Sequence, residues 1–269
     1  MTGTSSIVVI TDLDGTLLDH HTYTYDAALP AIDALKTRQV PLILNSSKTA
    51  TEIIALRRQL GLKDPFVVEN GAAVYLSETS TPEVTFAQKR EEILEIIHRL
   101  RTQHQYVFRG FADMTVEEIQ SSTGLGKEAA INAMKRDFSE PLLWQQSDSH
   151  LDDFCKRLSL NQLQTQRGGR FVHVMGEYDK SDALAWLRNY YHEKCSTMPW
   201  IIALGDSEND ARMLEAADEA VLVRSPAHPP PRLSHDRLVL TERSGPEGWN
   251  DAILNLLHKY ESKEDQTNG

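Results

Sequence analysis

The sequence predicts an α/β fold in which an open parallel sheet flanked by helices is interrupted by an inserted block of mixed helices and strands. Three observations lead to this prediction. Near the N-terminus, short apolar runs alternate with helical patterns, which is typical of right-handed parallel units. From residue 77 to residue 174 this alternation gives way to amphipathic helices and hairpin-like strands. Beyond residue 174 the strand-and-helix alternation returns.

The first part of the chain is predicted to run strand, helix, strand, helix. Each strand is a short apolar run, and each helix shows an amphipathic repeat. Thr49 followed by Glu52 is typical of a capping box at a helix start, and Gly61 is a stop signal for the same helix. The predicted elements are strands at residues 7–11 and 41–44 and helices at residues 27–37 and 51–60.

The inserted block and the final part complete the predicted architecture. The block is predicted to hold helices at residues 86–104, 116–122, 127–137 and 149–158, and strands at 106–109, at 142–144 and on either side of Gly168 and Gly169. The final part is predicted to hold helices at 181–194, 210–216 and 248–262 and strands at 200–204 and 220–223. We therefore expect a Rossmann-like core of residues 1–76 and 175–269 and a separate α+β domain of residues 77–174.

Composition and charge describe an ordinary globular protein of 269 residues, with 40% hydrophobic and 25% charged residues. The formal net charge of -11 argues against nucleic acid or an anionic membrane as a partner. The apolar run at residues 7–10 is too short for a signal peptide or a membrane span. We therefore expect a cytoplasmic protein, a monomer or a small homo-oligomer, with no membrane or nucleic-acid partner.

The most informative motif is the pair of carboxylates that follows the first predicted strand. Asp12 and Asp14 lie two residues apart, so both side chains point to the same side of an extended chain. One carboxylate of such a pair can attack a phosphorus atom while the other handles the proton of the leaving group. Gly15 then allows a sharp turn directly after the pair.

Three further polar segments lie where the pattern places a strand end or a helix start. Ser46 follows the second strand, Lys180 opens a helix, and residues 205–210 (GDSEND) follow the strand at 200–204. In an open parallel sheet the carboxyl ends of the strands form one rim, where ligands bind. The four segments are therefore expected to converge on one site.

With these motifs in order, the chain resembles the haloacid dehalogenase superfamily of aspartate-nucleophile phosphatases. The matching segments are residues 12–16 (DLDGT), 45–48 (NSSK), 179–184 (DKSDAL) and 205–214 (GDSENDARML). The resemblance implies a sheet core of the haloacid dehalogenase type, and it implies that the inserted block is a cap domain that closes over the site and determines substrate specificity.

The same resemblance assigns a role to each motif residue. It implies that Asp12 is the nucleophile that forms an aspartyl-phosphate, and that Asp14 acts as general acid and base. Mg²⁺, which prefers oxygen ligands, is the implied cofactor. Asp12 and Asp206 would bind the metal through side-chain oxygens, and Asp14 through its backbone carbonyl. Asp210 would orient the metal-bound waters. Ser46 and Lys180 would bind the phosphoryl oxygens.

Four shorter segments point to a narrower resemblance, to the mannosyl-3-phosphoglycerate phosphatases. They are residues 46–49 (SSKT), 69–72 (ENGA), 169–173 (GRFVH) and 245–249 (GPEGW). The implied partner is a phosphorylated sugar-glycerate, and the implied reaction releases phosphate from mannosyl-3-phosphoglycerate to give mannosylglycerate, a compatible solute. The segment 245–249 is either an interdomain loop or the entry to the last helix.

The substrate implied here carries a carboxylate beside its phosphate, so a second cationic anchor is expected. Arg170 fits this role through bidentate pairing, and His173 on the same strand is a second candidate. A solvated position for Arg170 and a core or edge position for His173 are the alternatives. Glu69 and Asn70 either contact sugar hydroxyls or belong to a tight turn with Gly71.

Three alternative functions remain open at this point. A glucosyl-3-phosphoglycerate or other sugar-phosphate phosphatase would differ only in its sugar pocket. A phosphosugar mutase would form the same covalent intermediate and return the phosphoryl group. A non-catalytic sugar-phosphate-binding protein is the third, but it has no use for a nucleophile and acid pair such as Asp12 and Asp14.

Overall fold

The structure of the protein, a computed structural model, describes residues 7–79, 81–168 and 170–267. Gly169 of the predicted hairpin lies outside the described residues, as do residues 1–6 and 268–269 of the predicted core. By its internal contacts the chain divides into a first unit of Met1–Ser46, Asp64–Phe66 and Asp179–Gly269 and a second unit of Ser47–Lys63 and Val67–Tyr178. The domain bounds expected from the sequence differ from these units and stay a prediction.

Strands and helices alternate along much of the chain. The strands are β1 (Ile7–Thr11), β2 (Leu42–Asn45), β3 (Phe66–Val68), β4 (Ala73–Tyr75), β5 (Val84–Thr85), β6 (Phe108–Gly110), β7 (Ser139–Trp144), β8 (Leu163–Gly168), β9 (Phe171–Gly176), β10 (Trp200–Gly205), β11 (Glu219–Arg224) and β12 (Leu238–Ser244). The helices are α1 (Leu29–Thr37), α2 (Ala50–Leu60), α3 (Arg90–His104), α4 (Val116–Thr123), α5 (Lys127–Met134), α6 (Asp148–Ser159), α7 (Lys180–Cys195), α8 (Ala211–Ala216) and α9 (Gly245–Thr267).

The predicted parallel sheet is present. Its strand order is β12-β11-β10-β1-β2-β3-β4-β5, and the chain passes from the first unit to the second within β3. Strand β1 pairs in parallel with both β2 and β10, and its last residue, Thr11, lies opposite Leu44 and Leu204. The inner strands are apolar and almost completely buried, as expected for parallel strands covered on both faces. This register brings the ends of β1, β2 and β10 to one edge of the sheet.

The second unit contains its own sheet, with the strand order β6-β7-β9-β8. Val172 and Val174 on β9 face a buried cluster that includes side chains of α3 and α6. Because side chains alternate along a strand, His173 between them points to the opposite face. On that face Phe171 packs against the buried side chains of α4 and α5.

The predictions for strand β1 and helix α2, which rest on local sequence signals, are confirmed. Strand β1 has the predicted bounds, and α2 begins with the predicted capping box, in which Thr49 accepts from the Glu52 N–H and the Glu52 side chain accepts from the Thr49 N–H. Gly61 ends the same helix in the left-handed conformation, with φ of 64°.

Three helices differ from the prediction by three or more residues at an end. Helix α3 begins at Arg90, later than the predicted residue 86. Helix α5 ends at Met134, before the predicted residue 137, because Glu69 accepts the backbone N–H groups of Asp137 and Phe138 instead of leaving them to the helix. Helix α9 begins at Gly245, earlier than the predicted residue 248. The segment at 245–249 is therefore the entry to the last helix.

Strand β12 was not predicted. It is the terminal strand of the large sheet and pairs in parallel with β11. Its apolar residues Leu238, Val239 and Leu240 are 37%, 38% and 47% exposed, and in the sequence they form a run of only three, without the alternation of apolar and polar residues that marks a half-buried strand. Within the described ranges, none of the helices is long and apolar enough to cross a membrane.

Candidate active site

Asp12 follows the last residue of β1 and is 5% exposed. Its backbone N–H donates to the Leu204 carbonyl at 2.9 Å, which continues the parallel pairing with β10 for one more residue. The Thr11 hydroxyl donates to the Asp12 carbonyl at 2.8 Å, and the fully buried Trp249 indole N–H donates to the Thr11 hydroxyl at 2.9 Å. Hydrogen bonds on both sides therefore fix the backbone that carries this carboxylate.

Lys180 is the first residue of α7, and its side chain is completely buried. Its Nζ lies 2.6 Å from Asp12 Oδ1 and 2.6 Å from Asp210 Oδ1. The Asn45 side chain at the end of β2 donates to the Lys180 carbonyl at 3.1 Å. A buried ammonium group thus joins two carboxylates, as expected where a buried charge must be paired.

Asp210 shapes the loop that follows β10. Its Oδ2 accepts the backbone N–H of Asp206 at 3.0 Å and that of Ser207 at 3.1 Å. Gly205 approaches so closely that an added Cβ would lie 2.4 Å from Asp210 Cβ, so only glycine fits at this position. Since its other oxygen binds Lys180, Asp210 connects the loop to the lysine.

Asp206 is 2% exposed and is held at both carboxylate oxygens. Thr16 Oγ1 donates to Oδ1 at 3.2 Å, and His228 Nε2 lies 3.1 Å from Oδ2. Gly15, with φ of 84°, lies so close to this carboxylate that an added Cβ would be 2.5 Å from Oδ2. The turn after the first motif therefore packs directly on Asp206.

Three carboxylates of this site can hold a metal ion. One oxygen each of Asp12, Asp206 and Asp210 lies within 4.8 Å of the others, and all three residues are buried. An all-oxygen donor set with several carboxylates fits a hard divalent cation such as Mg²⁺. The carboxylate of Asp14 does not belong to this group. The resemblance assigns Asp14 to the metal through its backbone carbonyl instead.

Charge is unbalanced in this group of residues. Burial raises the pKa of the Asp12 carboxyl to about 8, with the neighbouring aspartates adding to the effect and Lys180 opposing it. Burial also raises the pKa of Asp206, and Asp210 adds to that rise. The pKa of Lys180 is raised by Asp12 and Asp210 in spite of its burial. One lysine does not neutralise three carboxylates, so the site favours a bound cation.

Asp14 and Ser46 lie beside the same strand ends. Asp14 is partly exposed and forms an isolated bridge with Leu18 in the turn that follows β1. Ser46 is completely buried and comes directly after β2, whose Leu44 lies opposite Thr11. Their assigned roles as acid and base and as phosphoryl ligand stay predictions.

Glu69 and Asn70 of the second unit belong to a tight turn, one of the two alternatives for these residues. Glu69, Asn70 and Gly71 have φ of 47°, 63° and 99°, and the Gly71 N–H donates to the Val68 carbonyl at 3.1 Å. The Glu69 carboxylate accepts from the backbone N–H of Asp137 at 2.8 Å, which gives it a structural contact in this unit. Glu69 also accepts from the Ser139 hydroxyl and pairs with Arg136.

The amide oxygen of Asn70 differs from the Glu69 carboxylate in its hydrogen bonding. Asn70 is 3% exposed, and its Oδ1 is buried with no hydrogen-bond partner in the described part of the chain. A buried polar atom without a partner is costly, and such atoms are often found where a ligand or water binds. Contact of Glu69 or Asn70 with sugar hydroxyls stays a prediction.

The two candidate cationic anchors, Arg170 and His173, are in different environments. Arg170 is exposed, and its guanidinium donates to the Ser122 carbonyl at 3.2 Å. His173 Nδ1 is buried and has no hydrogen-bond partner among the described residues. Burial, with a contribution from Arg136, lowers the pKa of His173 to about 3. A neutral imidazole supplies no charge for a carboxylate, so His173 lacks the charge expected of a cationic anchor.

The pKa of His173 predicts an acid-sensitive fold. In the unfolded chain its pKa is near 6.5, so between about pH 6.5 and 3 the unfolded state binds a proton that the folded state does not. Stability is then lost as the pH falls through this range, by up to about 1.4 kcal/mol per pH unit. We expect His173→Gln to lose less stability than the wild type between pH 7 and pH 5 in urea unfolding. The exposed His150→Gln is the control, and equal losses in all three proteins would contradict the assignment.

Some residues of these sites were not found from the sequence. Arg136, 7% exposed, donates to the Ser47 carbonyl at 2.6 Å and to the Ser139 hydroxyl at 3.1 Å. His228 contacts Asp206 from the loop after β11, outside every motif named in the sequence analysis. The sequence offers one usable signal, a histidine among four prolines in residues 225–231, since a rigid loop can hold a side chain in place.

Comparison with known proteins finds related sequences and structures. The sequence profile of the haloacid dehalogenase-like hydrolase family matches residues 9–228. A protein from Persephonella marina (strain DSM 14350 / EX-H1), described as a glucosyl-3-phosphoglycerate/mannosyl-3-phosphoglycerate phosphatase, is 31% identical over 268 residues, which cover 95% of this chain and 98% of the relative.

Solved structures show the same fold. The crystal structure of Thermoplasma acidophilum 0175 matches with a TM-score of 0.68 at 17% identity, over 94% of this chain and 98% of that one. A protein from Bacteroides thetaiotaomicron, studied among the phosphatases of the haloalkanoate (HAD) enzyme superfamily, matches with a TM-score of 0.66 at 17% identity, over 96% of both chains.

Proposed function

Because the chain belongs to the haloacid dehalogenase-like hydrolase family, we propose that it is a Mg²⁺-dependent phosphatase that acts through an aspartyl-phosphate intermediate on Asp12. The observation that carries the proposal is the buried contact of Lys180 with Asp12 and Asp210, beside the carboxylate of Asp206. A carboxylate nucleophile, a cation beside it and further carboxylates that can hold a metal ion are groups suited to phosphoryl transfer to an aspartate.

Each protein group then has a defined step. An Asp12 oxygen attacks phosphorus and the ester P–O bond breaks, while Asp14 gives its proton to the leaving alkoxide. Asp14 next takes a proton from the water that attacks the aspartyl-phosphate, and inorganic phosphate leaves as the Asp12 carboxylate is restored. Ser46 and Lys180 hold the transferring oxygens by hydroxyl donation and by positive charge.

Asp12, Asp206 and the Asp14 carbonyl are proposed to hold Mg²⁺, and Asp210 is proposed to orient its waters. The bound cation would offset the negative charge that the substrate phosphate brings to these carboxylates. Asp210 is suited to an indirect role because its oxygens already accept from Lys180 and from two backbone N–H groups.

The proposed substrate is mannosyl-3-phosphoglycerate, with the glucosyl compound as the second candidate. Support comes from the Persephonella marina relative, whose description names both compounds and which aligns with nearly the whole chain. Arg170 is the proposed anchor for the glycerate carboxylate, and His173, Glu69 and Asn70 are proposed to contact the substrate as neutral or hydroxyl-binding groups. These assignments follow from the resemblance to the mannosyl-3-phosphoglycerate phosphatases, which rests on residues 46–49, 69–72, 169–173 and 245–249.

The test is phosphate release from a panel of phosphorylated compounds, with Mg²⁺ and after its removal by a chelator. We expect the two hexosyl-3-phosphoglycerates to give the highest kcat/KM, chelation to abolish turnover and added Mg²⁺ to restore it. Isomer formation without phosphate release would instead indicate a mutase. Tight substrate binding without any turnover would indicate a sugar-phosphate-binding protein, and a preference for unrelated phosphomonoesters would overturn the substrate assignment.

A further inference from the structure

The ring of His228 lies between two oxygen acceptors, and because a neutral imidazole carries a single N–H, the tautomer with its proton on Nε2 is the one that donates to Asp206. Its Nε2 lies 3.1 Å from Asp206 Oδ2, and its Nδ1 lies 3.2 Å from the Pro229 carbonyl oxygen. The residue belongs to the loop after β11 and is followed by Pro229, Pro230 and Pro231. Proline fixes its own φ and restricts the residue before it, so little conformational freedom remains to be lost when the ring takes this position.

The partner of this ring, Asp206, is contacted at both of its carboxylate oxygens. Oδ1 accepts from Thr16, Oδ2 faces His228, and the backbone of Gly15 closes the space beside Oδ2. Neither Thr16 nor Gly15 can replace His228, because their contacts leave Oδ2 without a hydrogen-bond donor. The histidine therefore completes the hydrogen bonding that sets the plane of the carboxylate.

We propose that His228 is a positioning residue that holds Asp206 in the orientation in which it ligates the divalent cation, an inference that rests on the metal site of the proposed function. Groups that hydrogen-bond to metal-ligating carboxylates fix their orientation, and loss of such a group typically weakens metal binding about 10-fold to 100-fold. The contact acts through Asp206, so His228 touches neither the substrate nor the reacting atoms.

The test is the affinity for the metal alone. Mg²⁺ binding by calorimetry and Mn²⁺ binding by electron paramagnetic resonance are measured on the wild type, His228→Leu and His228→Gln. We expect His228→Leu to raise the dissociation constant about 10-fold to 100-fold. Glutamine retains a donor that reaches a similar position, so His228→Gln should recover most of the affinity.

His235→Leu is the matched control. His235 lies in the same stretch between β11 and β12 as His228, and its Nε2 contacts the Ala217 carbonyl and not the Asp206 carboxylate. We expect this variant to bind metal as the wild type does. Saturating Mg²⁺ should return kcat of His228→Leu close to the wild-type value, which a general loss of structure would not allow.

Two results with the His228 variants would overturn the inference. Unchanged or tighter metal binding by His228→Leu would show that His228 does not position Asp206 for the cation, and equal loss in His228→Gln and His228→Leu would show that the donor is unimportant. A wild-type protein that binds neither metal would instead refute the metal site of the proposed function, and the inference with it. The wild-type titration therefore separates the two failures.

Discussion

Asp12→Asn should lower kcat by about 10⁴-fold or more while the protein remains folded. Asparagine has nearly the same shape, and it can still accept the hydrogen bond from Lys180 Nζ, but its amide is not a nucleophile for phosphorus. The substitution also removes one of three mutually repelling buried carboxylates, so the free energy of unfolding should not fall greatly. Phosphate release under single-turnover conditions measures the effect.

The control for this variant is Asp33→Asn, an exposed aspartate on α1 whose side chain is 71% exposed. It should retain wild-type activity. Trapping with acid after mixing with substrate should give a phosphorylated protein for the wild type and none for Asp12→Asn. Substantial turnover or labelling of Asp12→Asn would remove Asp12 from the nucleophile role.

Lys180→Met should cause the largest combined loss of stability and activity. The variant leaves Asp12 and Asp210 buried without their shared cation, and breaking a buried ion pair in this way costs about 3–5 kcal/mol. Activity should fall about 10²-fold to 10³-fold, the size of effect seen when one donor to a developing charge is removed. Urea unfolding in the presence of a chelator measures the first effect, and kcat the second.

A double variant separates the two effects of Lys180. Asp12→Asn combined with Lys180→Met removes both charges of one pair, so it should be more stable than Lys180→Met alone while remaining inactive. Lys194→Met, an exposed lysine on the same helix, is the control and should leave both properties unchanged. If the double variant were no more stable than the single one, charge imbalance would not explain the loss.

The parts of the fold that were predictable depend on local signals. The buried apolar run of β1 and the capping box at Thr49 are each complete within a few residues, and both were predicted correctly. The end of α5 was not, because it is determined by Glu69, a residue distant in sequence whose carboxylate takes the N–H groups of Asp137 and Phe138. Tertiary contacts override local helix propensity in such cases.

The same distinction applies to the candidate site. The motifs containing Asp12, Lys180 and Asp206 could be assigned to one rim because parallel strands direct their carboxyl ends to one edge, and the superfamily resemblance is confirmed by the family match. The contacts of His228 and Arg136 could not be foreseen. Each depends on how a loop or a helix end packs, and neither residue belongs to a motif.

Strand β12 has a consequence for behaviour at high concentration. Among the described residues it is the terminal strand of the large sheet, with a strand paired on one side only, and Leu238, Val239 and Leu240 add exposed apolar surface. Such an edge invites pairing between molecules and the growth of aggregates. Arg237 directly precedes the apolar run and Glu242 follows it by two positions, and charged residues near such a run generally oppose association of this kind.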